Sequence, residues 1–233
     1  MFTKILEKIN SFIENKKLQK QLSIARSKTN LEQEKKIYDF LYSNLVLEDF
    51  VQLTEHNLLN INHDDYIFNS LSFQNIIDIL LNEEVYQLDS TTNMLNIGSG
   101  AGQIAILTTL FYNFQNIIGI ESSYEMYLLA KDRLKKFRES EYSKQEHVQF
   151  LNVDPLAPDF SLYNFIVVDY SNKNVLFNEM LQEKIKQECS SGTLIIKLVD
   201  CLREDKHIKL IKKLTLQNEE NKDFFVYFYK VKN

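Results

Sequence analysis

Residues 98–102 read Gly-Ser-Gly-Ala-Gly and hold three of the five glycines in a chain of 233 residues. At average usage a chain this long carries roughly 16, so glycine survives here only where another residue would not serve. The motif lies between a short apolar run, Met94-Leu95-Asn96-Ile97, and a stretch of helical periodicity beginning at Gln103. A strand that passes through glycines directly into a helix lets a ligand approach the backbone, and the amides at the helix start can bind its polar end. A nucleotide or nucleoside ligand is implied.

The rest of the chain repeats the same alternation. The runs 94–97, 116–121, 148–153, 164–169 and 193–199 are short and apolar, as buried parallel strands are, and helical stretches at 103–114, 123–138 and 174–188 separate them. The end differs: Lys213-Leu-Thr-Leu-Gln217 and Asp223–Val231 flank a turn-forming Asn-Glu-Glu-Asn-Lys, which predicts a closing hairpin that adds antiparallel structure. Residues 3–59 carry helical periodicity without Gly or Pro. The expected fold is therefore α/β, a Rossmann-like doubly wound sheet of seven strands with a C-terminal antiparallel hairpin. A helical N-terminal extension over 1–60 precedes a main domain over 61–233.

Composition narrows the function classes. With 44% hydrophobic and 25% charged residues and a net charge of −5, the chain reads as a globular protein with a sizeable core. No apolar run approaches the roughly 18 residues of a membrane span, and Lys4, Glu7 and Lys8 interrupt the N-terminus before a signal-peptide core can form. A cytoplasmic setting is expected, with a nuclear one left open. Cys189, Cys201, His56, His63, His147 and His207 form no ligand cluster, so no metal site is expected. Between Val46 and Ser90 the charges are Glu48, Asp49, Glu55, Asp64, Asp65, Asp78, Glu83, Glu84 and Asp89, without Lys or Arg. Such a stretch near a site would steer basic peptides and repel nucleic acid. The first 30 residues are instead a basic amphipathic helix by pattern, with Phe2, Leu6, Ile9 and Ile13 on one face. It is a candidate for holding a partner subunit.

Nineteen residues beyond Gly102, at the end of the next apolar run, stands Glu121, where an acid grips the two hydroxyls of a ribose. Asp154, followed by Pro155 and Pro158, ends the third run, and Gly119 and Gly192 complete the glycines. The G-S-G-A-G spacing, the order of elements and the closing hairpin resemble the class I S-adenosylmethionine-dependent methyltransferases over about residues 66–231. The resemblance implies that Gly98, Ser99, Gly100 and Gly102 line the methionine end of S-adenosyl-L-methionine, Glu121 the ribose and Asp154 the adenine amino group, with Gln103 also among the cofactor-binding residues. Asn96 replaces the acid usual in the first strand. An amide can accept a hydrogen bond from the cofactor's ammonium only without charge assistance, so weaker binding is expected.

The acceptor divides three resemblances. Phe68-Asn-Ser-Leu-Ser72-Phe73 is similar to the substrate-side segment of the non-SET histone lysine methyltransferases of the disruptor-of-silencing type through Phe68, Ser72 and Phe73, although Ser70 stands for their acid. Gln103 supports the same family, while Val168 and Asp169 stand where it has paired asparagines. Ser72 alone is similar to the serine that protein L-isoaspartate methyltransferases place near the acceptor carboxylate. A helix packing Phe73, Ile76, Ile77 and Leu80 into the core explains 68–80 equally well. Asp169, Lys197 and Asp223 resemble three members of the Lys-Asp-Lys-Glu set of RNA ribose 2'-O-methyltransferases, whose first lysine would fall near Gln74 or Asn75. The expectation is a methyltransferase acting on a macromolecule, a protein side chain before RNA, with Asp169, Lys197 and Ser72 as catalytic candidates and Asp169 also beside the cofactor. A cofactor-binding partner subunit without catalysis is the third alternative.

Overall fold

The computed structural model describes residues 31–42, 71–142, 147–169, 175–199, 201–218 and 221–232. Helix α1 spans Leu31–Tyr42, α2 Phe73–Leu80, α3 Glu83–Tyr86, α4 Gln103–Phe111, α5 Tyr124–Glu139 and α6 Val175–Glu188. The strands are β1 Asn93–Ile97, β2 Asn116–Ile120, β3 Val148–Leu151, β4 Phe165–Val168, β5 Leu194–Leu198, β6 Ile208–Gln217 and β7 Asp223–Val231. They form one sheet in the order β3-β2-β1-β4-β5-β7-β6. The first five are parallel; β7 pairs antiparallel with both β5 and β6. Chain order reverses between β1 and β4, and in doubly wound sheets ligands bind beyond the carboxyl ends of the strands at such a point.

Strand residues alternate between two apolar layers. Met94, Ile117, Phe165 and Ile196 face the layer built with Ile37 and Leu41 of α1, Ile76 and Leu80 of α2, Ile104 of α4 and Ala130 and Leu134 of α5. Leu95, Ile97, Ile166 and Ile195 face the other layer, where α6 supplies Leu181 and Ile185. On that side, among the described residues, a 3-10 turn at Phe160–Leu162 and Leu202 do the work of further helices. Tyr229 holds the second in place: the Leu202 N–H donates to its hydroxyl at 2.9 Å.

Local chemistry explains the helix starts. Ser123 caps α5 by accepting from Met126 N–H, Glu125 lies in its first turn, and Lys136 and Arg138 lie in its last, each sign matched to the helix dipole. Asn82 caps α3 by accepting from Glu84 N–H.

The structure departs from the sequence expectation at the start of the closing hairpin. Strand β6 begins at Ile208 rather than Lys213 because a register shift between Leu210 and Lys212 moves the apolar residues from one face to the other. Ile208 and Leu210 belong to one layer and Leu214 and Leu216 to the opposite one, so strict alternation is broken in the sequence. Helix α1 also packs into the main core, through Ile37, Leu41 and Tyr42. The remainder of the N-terminal extension, the basic face of residues 1–30, and Phe68 and Ser70 lie outside the described residues. No helix among the described residues is long and apolar enough to cross a membrane.

Candidate functional site

The glycine loop bridges β1 and α4 through three left-handed residues: Gly98 at φ 71°, Gly100 at 51° and Gly102 at 86°. Gly98 and Ser99 both donate from N–H to the Ile120 carbonyl at 2.9 Å, and Gly102 N–H closes a turn on Ser99 O at 2.8 Å. Glu121, one residue beyond β2, completes the loop. Its Oε2 accepts from Gly100 N–H and its Oε1 from Ser123 N–H, each at 2.9 Å. The acid read from the sequence as a ribose ligand is thus also the brace that joins the glycine loop to the start of α5.

Two glycines have a cause that the sequence does not reveal. A Cβ at Gly102 would lie 2.6 Å from Phe150 Cζ, and one at Gly119 would lie 2.4 Å from Phe150 Cδ1 and 3.0 Å from Ser99 Cβ. Both make room for the ring that β3 sends across β2. At Gly100 a Cβ would meet only Met126 Cε, at 3.7 Å, so the open approach lies there.

Asn96 is fully buried and sits in register with Gly119 of β2 and Val167 of β4. Neither atom of its side-chain amide has a hydrogen-bond partner among the described residues, and the same holds for the buried Ser99 hydroxyl. Buried polar groups normally find partners; two neglected ones at the carboxyl end of β1 suit the polar end of a ligand. Asp154 is exposed after β3, and its carboxylate accepts from Leu156 N–H at 2.7 Å, which shapes the Asp-Pro turn.

Asp169 follows β4, fixed by its N–H on Ile97 O at 2.9 Å. Burial pushes its carboxyl well above the usual carboxylate range, the negative charge of Glu121 pushes further, and Lys197 opposes both. The three groups therefore share one electrostatic neighbourhood. Lys197 is fully buried in β5, in register with Val168 and Tyr227. Asp223 stands four residues before Tyr227 on β7, roughly 13 Å along the strand, and accepts from the Gln217 amide at the hairpin. Asp169 and Lys197 come together; Asp223 does not join them. Just after β5, Val199 has φ 74°, a strained conformation for a β-branched residue at the same edge of the sheet.

Ser72 caps α2 by accepting from Asn75 N–H at 3.2 Å. Phe73, Ile76, Ile77 and Leu80 are all buried, as the core reading of this segment requires. Gln103 opens α4, and its Nε2 donates to the Tyr38 hydroxyl at 3.1 Å, which in turn donates to Leu71 O at 2.9 Å. Tyr38 gives no signal in the sequence because its partners are 65 and 33 residues away.

The model of the protein-L-isoaspartate(D-aspartate) O-methyltransferase family matches residues 19–231. The chain belongs to this family. It is accordingly an S-adenosylmethionine-dependent methyltransferase. No curated protein matches the methyltransferase by sequence. Its fold is similar to that of an RNA methyltransferase from Salinibacter ruber in complex with S-adenosyl-L-homocysteine, at 18% identity and TM-score 0.54, covering 70% of this chain and 94% of that one. It is also similar to a tRNA (m1A58) methyltransferase from Aquifex aeolicus, at 15% identity and TM-score 0.51, over 72% and 76% of the two chains. The N-methyltransferase NodS from Bradyrhizobium japonicum is a third, at 12% identity and TM-score 0.53, over 73% and 99%. These likenesses concern the fold alone, and the resemblance to the disruptor-of-silencing enzymes is not confirmed by them.

Proposed function

We propose that this methyltransferase modifies a protein side chain and that the group modified is a carboxylate, the isoaspartyl carboxylate named by its family. The observation that carries this reading is the position of Ser72. Leu71, its neighbour, is tied through Tyr38 to Gln103, so the capped start of α2 stands beside the glycine loop. A helix start favours an anion, and the Ser72 hydroxyl can donate to an acceptor oxygen.

When bound, S-adenosylmethionine supplies a methyl group already activated on a sulfonium. Asn96, Gly98, Ser99, Gly100, Gly102 and Gln103 are read as holding its methionine end, Glu121 the ribose and Asp154 the adenine. The fit rests on the unpartnered Asn96 and Ser99 side chains and on the open approach at Gly100. Transfer forms a bond between a carboxylate oxygen and the methyl carbon as the carbon–sulfur bond breaks. A carboxylate attacks without losing a proton, so the chain needs to orient it and exclude water rather than supply a base. Asp169, one residue beyond β4 and fixed through its N–H on Ile97 O, would in this reading line the methyl-bearing end of the cofactor and help to orient it.

The coupling of Asp169 to Lys197 favours a second reading, methylation of an RNA ribose hydroxyl. That reaction requires a general base at the hydroxyl, the role that Lys197, buried in β5 beside Asp169, would have to fill. Labelled-methyl transfer distinguishes the readings. Label should pass to a peptide containing L-isoaspartate, not to the same peptide with ordinary aspartate, and be released by mild base as an ester is. Transfer only to an RNA pool would establish the second reading; cofactor binding without transfer to either would indicate a non-catalytic subunit.

A further inference from the structure

Helix α1 contributes one side chain that touches both halves of the site. The Tyr38 hydroxyl accepts from Gln103 Nε2 at the first residue of α4 and donates to the Leu71 carbonyl one residue before the α2 cap. Its ring lies 5.5 Å from that of Phe73, the first residue of α2, and 5.2 Å from that of the buried Tyr42. Tyr42 and Ile37 anchor α1 in the core, so the hydroxyl is presented from a fixed helix. The start of α4 is continuous with Gly102 and the start of α2 with Ser72. Each is otherwise held by its own cap or turn, and α2 is also pinned where Asn75 Nδ2 donates to Gln217 O at 2.9 Å.

We infer that Tyr38 is a positioning residue that transmits occupancy of the glycine loop to the acceptor-side start of α2. The inference rests on the functional reading above. A ligand seated on the glycine loop orders Gln103; Gln103 orders the hydroxyl; the hydroxyl holds Leu71 and with it Ser72. Acceptor binding is then favoured after the cofactor is in place, and by reciprocity the acceptor tightens the cofactor. Tyr38→Phe keeps the ring contacts and removes both hydrogen bonds.

The test uses the full chain and two readouts. Amide hydrogen exchange at Asn75 and Ile76, with and without saturating S-adenosyl-L-homocysteine, reports the link without turnover. Protection by the ligand should rise by about fivefold or more in the wild type and vanish in Tyr38→Phe, while global unfolding midpoints stay close to one another. In steady-state methylation of the isoaspartyl peptide, Tyr38→Phe should raise acceptor KM about fivefold to tenfold with kcat little changed. Equal protection in wild type and Tyr38→Phe overturns the inference. So does a uniform fall in stability, KM and kcat together, which is what a merely structural tyrosine would give. If the wild type transfers no methyl to the peptide yet transmits protection through Tyr38, the acceptor assignment fails and the positioning role stands. If the homocysteine ligand does not bind the wild type at all, the functional reading fails and takes this inference with it.

Discussion

A Cβ at Gly119 would press on Phe150 Cδ1 at 2.4 Å and on Ser99 Cβ at 3.0 Å, so this residue belongs to the packing beneath the loop. Gly119→Ala should destabilise the protein by about 1–3 kcal/mol, as overpacking does. Denaturant unfolding measures the loss, and adding Phe150→Leu should restore part of it. A full loss that Phe150→Leu leaves untouched would point to another cause. Asp169 provides a pH test. The folded state keeps its proton where the unfolded chain, with the ordinary value of 3.8, has lost it. Its contribution to stability is complete below that value and is lost as pH rises through the raised one. Asp169→Asn should therefore raise the unfolding midpoint at pH 7 and leave it unchanged near pH 3. Asp205 has the opposite sign: the hydrogen bond from Lys186 holds it down to about 2. Its contribution is present at neutral pH and lost as pH falls toward that value, so Asp205→Asn should cost stability at pH 7 and match the wild type in strong acid.

At the start of helix α2 a substitution series can separate the cap from the proposed acceptor role. Ser72 caps the helix, and loss of a cap costs about 1 kcal/mol. Ser72→Ala should lower stability by that amount, and Ser72→Asn, a good cap, should restore it. If Ser72 is only a cap, methylation recovers with stability. If its hydroxyl orients the acceptor, Ser72→Asn is as stable as the wild type and still slow, with the defect in kcat/KM for the acceptor and not in cofactor affinity. The other face of α2 is tied to the sheet edge through Asn75 and Gln217. At the start of the next helix, Glu83 of α3 pairs with Lys212 of β6 at 2.7 Å. These links couple α2 and α3 to the closing hairpin.

For the molecule as a whole, a ligand on the loop should stabilise the fold it completes. At a hundredfold excess over its Kd, S-adenosyl-L-homocysteine should contribute about 2.7 kcal/mol. For a chain of this size that corresponds to roughly 5–10 °C in thermal midpoint. Scanning calorimetry measures the shift, and Glu121→Ala, which removes the brace on Gly100 and Ser123, should reduce it. The alternation of strands and helices and the glycine turn out of β1 were readable from residues in sequence alone. Backbone hydrogen bonding and side-chain periodicity repeat every two or 3.6 residues, so their signature lies within one segment. The position of Glu121 just past the end of β2 was readable too, because the βα unit has a set length. The start of β6 could not, since the bulge at Leu210–Lys212 erases the local period. Insertion of β7 between β5 and β6, the ring of Phe150 over Gly102 and Gly119, and the hydroxyl of Tyr38 between Gln103 and Leu71 were decided only by the tertiary structure. Each depends on surfaces brought together across tens of residues, where which side chains meet is set by packing and not by the spacing along the chain.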